Sequence, residues 1–211
     1  MKNLVNFKIA VVFSLLFFLS QNLLAQGFII NDDNLIDKRA EDKINQIGNE
    51  VKTKLNVNVY IYTKQTLGLD EELPMKKKFL AIKNFENEIL PALQKPYVLL
   101  TAFIEETHVN LIYSNEELKK NIDKDDILDG YVVPLLASKD KNTLFAKVSA
   151  SMLNGYAAIA DTLASKKEIK LESSIGNQGK VSSTIWRVFM YTMIVLGLLA
   201  YTYAVLRKRK S

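Results

Sequence analysis

From Tyr97 to Ile104 the chain reads YVLLTAFI, an apolar run fenced by Pro96 on one side and by Glu105 and Glu106 on the other. A strand with one wet face alternates apolar and polar residues, whereas a run without alternation needs cover on both faces. This stretch therefore reads as a central strand, and a chain that contains it must supply layers on either side of a sheet. His108 to Tyr113 reads as a second strand reached through a short turn, which makes the pair a hairpin.

The neighbouring segments supply the layers. Asn31, Asp32, Asp33 and Asn34 are good helix-capping types, and apolar residues follow at Ile36, Ala40, Ile44, Ile47, Val51 and Leu55, one face of a helix. Val57, Val59 and Ile61 alternate as in a strand. After a loop with Gly68 and Pro74, the residues Met75, Phe79, Ile82, Phe85 and Ile89 recur at helical spacing, and Pro91 stops that helix. Ser114 to Glu117 has the form of a capping box. Asp123 is placed to cap the next helix, which Pro134 should kink or end, and a last helix starts near Asn142. The expected fold is α/β, a small mixed β-sheet flanked by helices on both faces as an αβα sandwich, plus a C-terminal transmembrane helix.

That last element comes from the chain's end. Val188 to Leu206 is uncharged over 19 residues, followed at once by Arg207, Lys208, Arg209 and Lys210. At ~1.5 Å per residue it would reach roughly 28 Å, close to the thickness of a bilayer's hydrocarbon. At the other end Lys2 and Lys8 precede the apolar stretch Ile9 to Leu19, and Leu23-Leu24-Ala25 resembles a cleavage site, so residues 1–25 read as a signal peptide. The expected organisation is a signal peptide, an α/β domain over 28–164, a flexible linker over 165–183, a transmembrane helix over 185–206 and a basic cytoplasmic tail over 207–211. By the positive-inside rule, the domain is expected on the periplasmic or extracytoplasmic side of the inner membrane.

Charge narrows the partners. The formal net charge is +5, but the two ends hold seven of the 28 basic residues and no acidic ones. The folded part carries 21 basic residues against all 23 acidic ones, and this balance argues against nucleic acid. The expected partners are the membrane, through the C-terminal helix, and another envelope protein. The absence of cysteine excludes disulfides and thiolate chemistry.

NDDNLIDKRAEDKINQIGNEVKTKLNVNVYIYT, from Asn31 to Thr63, resembles the opening of the TPM domain, found in bacterial envelope proteins and a thylakoid-lumen protein. The later YVLLTAFIEETHVNLIY resembles that family's central hairpin, and ILDGYVVPLL and NGYAAIADTLA are similar to its closing helices. The chain departs from the family at Leu93-Gln94-Lys95-Pro96, where members carry a glycine and an Asp-Asn-Gly-like turn. The resemblance implies an αβα sandwich. The functions it implies are varied: assembly or repair of membrane protein complexes, divalent-cation binding, and in some members acid phosphatase activity.

The candidate site residues are carboxylates. Asp125, Asp126 and Asp129, beside Asp123, could offer hard oxygen ligands to Ca²⁺ or Mg²⁺, and Asp32 and Asp33 could join them if the fold brought the two turns to one end of the sheet. Acidic residues also favour helix starts without any ligand. His108 is the only histidine and cannot build a multi-histidine site. No nucleophile elbow and no phosphate-binding glycine loop is present. The leading expectation is a protein-binding or scaffold module in the cell envelope rather than an enzyme. The alternatives are a weak metal-dependent phosphatase of the TPM type and a structural divalent-cation-binding domain.

Overall fold

A computed structural model describes residues 27–70, 72–176 and 191–198. Four strands form one sheet in the order β1 (Ile29–Asn31), β2 (Asn58–Lys64), β3 (Tyr97–Phe103) and β4 (His108–Tyr113). β1, β2 and β3 are parallel, with Val59 beside Val98 and Tyr62 beside Thr101; β4 returns antiparallel, with Asn110 beside Thr101 and His108 beside Phe103. The sheet is therefore mixed, and β3 is buried along its whole length, as its unbroken apolar run demands.

Side chains alternate across the sheet, so each strand feeds two layers. Val59 and Leu100 point to the face covered by α1 (Lys38–Leu55) and α6 (Leu144–Lys166). Tyr62 and Thr101 point to the opposite face, covered by α2 (Met75–Ile89). Between β4 and α6 lie α3 (Glu116–Asn121), α4 (Lys124–Ile127), a π turn (Leu128–Val132) and α5 (Val133–Leu136).

Two glycines set how closely the first layer packs. A Cβ on Gly155 of α6 would come within 2.6 Å of Val132 and 3.1 Å of Leu100. A Cβ on Gly48 of α1 would collide with the Phe28 ring and the Tyr156 hydroxyl. That hydroxyl, fully buried, donates to the Val59 carbonyl at 2.9 Å. The α1–α6–β2 junction is thus built around the absence of one methyl group.

Several boundaries differ from the sequence reading. Asn31 ends a strand rather than capping a helix; the cap of α1 is Asp37, whose carboxylate accepts from Arg39 N and Ala40 N. Asn115, not Ser114, caps α3, and the Ser114 hydroxyl instead accepts from Tyr97 N at 2.8 Å. α6 starts at Leu144 with Thr143 as its cap. Past α6 the chain stays on the domain: Leu171 is buried, and Ser173 N and Oγ both donate to Glu50. These contacts run into the stretch read from sequence as a linker.

The expected transmembrane helix is corrected by the structure. Among the described residues no helix is long and apolar enough to cross a membrane. Within the span 185–206 only 191–198, which are helical, are described; the rest lie outside the described residues. The signal peptide over 1–25 and the basic tail over 207–211 lie outside the described residues.

Candidate functional site

The acidic residues singled out in the sequence are divided by the sheet. Asp32 and Asp33 follow β1 at one edge. Asp32 Oδ1 accepts from Asn34 N at 3.1 Å and Oδ2 from Ile36 N at 3.4 Å, which shapes the turn into α1. Asp33 Oδ1 accepts from the Asn31 amide at 3.0 Å and Oδ2 from Gln65 N at 3.0 Å, tying the end of β1 to the end of β2. The Asn31 and Gln65 bonds hold its carboxyl below the usual carboxylate value. Asp125, Asp126 and Asp129 are exposed beside β4, at the other edge. Asp123 Oδ1 accepts from the backbone N–H groups of Asp125 and Asp126.

The two turns follow different outer strands, β1 and β4, with β2 and β3 between those strands. They do not converge, and among the described residues no group of three or more His, Asp or Glu side chains is placed to hold a metal ion. The reason is strand order: β1 and β4 are the outer strands, and two central strands lie between them.

A different carboxylate is buried at the centre of the opposite face. Glu86 sits on the inner side of α2 and is 4% exposed. Its Oε1 accepts from the Thr101 hydroxyl at 2.7 Å, and the Asn110 amide donates to Oε1 and Oε2 at 3.0 and 2.8 Å. Lys124 Nζ donates to the other side of the Asn110 amide, at Oδ1. Asn110 therefore stands between a cation and a carboxylate, its dipole aligned with both. Burial pushes the Glu86 carboxyl upward, but the interactions with His108, Thr101 and Asn110 outweigh it and hold the group below its ordinary value. His108 Nε2 stands 3.5 Å from Glu86 Oε1. It makes no aligned hydrogen bond there.

The His108 ring is held between aromatics. It stacks on Phe103 at 6.1 Å between centroids and 21° between planes, and meets Phe79 edge-on at 6.1 Å. From there a cleft of about 760 Å³ opens between the first turns of α2, the loop after β2 and the β3–β4 turn. Glu106 Oε1 braces its floor by accepting from Leu67 N at 2.7 Å and the Thr66 hydroxyl at 3.2 Å. The cleft lies beyond the carboxyl ends of the parallel strands, where open α/β sheets present their ligand sites.

The helix that lines it is only partly supported. Met75, Phe79 and Ile82 share one helical stripe, and their exposures are 81%, 58% and 5%. The stripe is seated on the sheet at Ile82 and Glu86 and runs out past the strand ends toward Met75. Leu80, at the same overhanging end, is 57% exposed. The sequence periodicity located α2, and the structure adds that Met75 and Phe79 on that stripe are exposed. Glu86 was missed, although its signal was present: it stands four residues after Ile82, a carboxylate at an apolar-stripe position.

No family model matches the chain, and no curated protein resembles it. Among solved structures it is similar to the N-terminal domain of a P. gingivalis protein, determined in solution by NMR. That match has 13% identity and a TM-score of 0.46, covering 70% of this chain and 88% of that one. It is also similar to the N-terminal domain of the cg2496 protein from Corynebacterium glutamicum, with 13% identity and a TM-score of 0.39, covering 74% and 87%.

Proposed function

We propose that this domain is a protein-binding module of the cell envelope, and that it docks its partner at the overhanging end of α2 and the adjoining cleft. The observation that carries the reading is the exposed Met75 and Phe79, with Leu80 beside them on the outward side of α2, at a concavity of about 760 Å³. Large apolar side chains left contiguous on a surface mark interaction sites. A groove walled by a helix suits an apolar anchor from another protein. The TPM-like segments of the sequence support a role in assembling or maintaining protein complexes, and the leader-like residues 1–25 support a place outside the cytoplasm. The phosphatase and cation-binding readings rest on the resemblance and on the cluster Asp123, Asp125, Asp126 and Asp129; the added contribution of Asp32 and Asp33 is not favoured, because those two follow β1 at the other edge of the sheet.

The test is chemical cross-linking in intact cells, followed by mass spectrometry of the proteins that co-purify with the full chain. One or a few envelope proteins should be enriched with the native chain and lost with Phe79→Asp. Equal recovery with both chains would overturn the reading.

A further inference from the structure

The outward side of α2 carries a second pattern beside the cleft. Lys76, Phe79, Leu80 and Lys83 fall at positions i, i+3, i+4 and i+7, so they form one surface stripe with two exposed apolar side chains between two lysines. Seven residues of helix rise about 10 Å, which sets the distance between the two cationic ends. Among the described residues neither lysine has an ion-pair partner, whereas Lys38 and Lys54 on α1 each pair with two carboxylates. The helix also bears Lys77 on its outer side, and its carboxylates Glu86 and Glu88 lie past Lys83, Glu86 facing the sheet.

We infer that the partner docking on α2 is an acidic amphipathic protein segment: an apolar side chain that packs on Phe79 and Leu80, with carboxylates about 10 Å apart that meet Lys76 and Lys83. A helix supplies that spacing on one face with acids seven residues apart. The inference deepens the docking reading above and rests on it. Two other occupants fit the charges less well. A second copy packed α2 against α2 would set lysine rows against each other. A flat anionic bilayer would meet the exposed Glu105 on the opposite rim as well as the lysines.

The experiment places a photo-reactive benzoylphenylalanine at Leu80 of the full chain, irradiates intact cells and sequences the captured segment by mass spectrometry. Adduct yield is compared in the otherwise native chain and in one that also carries Lys76→Glu and Lys83→Glu. The expected result is a protein adduct whose captured segment joins an apolar residue to two or more Asp or Glu residues, with yield falling at least five-fold on charge reversal. A protein adduct on a neutral or basic segment, or a yield indifferent to reversal, overturns the inference and leaves the docking reading standing. No protein adduct, or adducts to lipid alone, overturns both. An adduct to this same chain overturns the inference. Both lysines are exposed, so circular dichroism of the reversed chain should match the native one and exclude unfolding as the cause of a lost adduct.

Discussion

Glu86 joins α2 to two strands at once, because its carboxylate accepts from Thr101 on β3 and Asn110 on β4. A buried carboxylate is costly unless hydrogen-bonded, and bonds to a charged group contribute a net of about 1.5–3 kcal/mol each. Glu86→Ala leaves a buried hydroxyl and amide without their acceptor, and should cost about 2–4 kcal/mol in urea unfolding. The pH dependence follows from the direction of the shift. A carboxyl held below its unfolded value stabilises the fold fully above about pH 4.5 and loses that contribution as pH falls through its folded value. Glu50 adds to the same window. Burial pushes its carboxyl up, but bonds from Lys54, from the Ser173 hydroxyl and from the backbone N–H groups of Glu172 and Ser173 bring it down to about 2. Melting temperature should therefore drop steeply between about pH 4.5 and pH 2, and less steeply in Glu86→Gln. Parallel slopes in the two proteins would contradict this role for Glu86.

At the scale of elements, the legible parts of the fold were those set by local pattern. The bounds of α2 and the β3–β4 hairpin follow from spacing, Pro91 and the turn at Glu105–Thr107. β1 was not legible, because three residues become a strand only by pairing with β2. Asn31 and Asp32 have the chemistry of helix caps, and tertiary pairing assigned them elsewhere. The Asp33 and Asp125 turns looked able to meet because nothing local encodes strand order. Gly48 makes a related point about packing. Alanine there would gain about 1 kcal/mol of helix propensity, yet its Cβ would collide with Phe28 and Tyr156. Overpacking costs typically 1–3 kcal/mol, and displacing the Tyr156 hydroxyl would also break its bond to Val59. Gly48→Ala should therefore lower stability by about 1–3 kcal/mol in thermal or urea unfolding, and a gain would show that this junction is looser than its geometry.

For the molecule as a whole, the two faces of the sheet carry different duties. The face under α1 and α6 is a packed core, with Ile44, Ile47, Val51, Met152 and Ile159 fully buried. The face under α2 is closed at its middle by Phe85 and Glu86 and left open at the strand ends. The candidate site was less legible than the fold for this reason: it arises where a helix outruns the sheet, a relation between lengths and positions of elements far apart in sequence. The central claim is that the open end is covered by a partner in the cell. The chain has no cysteine, so single cysteines can report on cover directly. Leu80→Cys and, as a control, Lys139→Cys should be labelled by a soluble maleimide in intact cells and in the purified chain. The account predicts that Leu80→Cys reacts at least ten-fold more slowly in cells than when purified, while Lys139→Cys, exposed and distant from α2 in sequence, changes little. Equal rates at position 80 in both settings would contradict it.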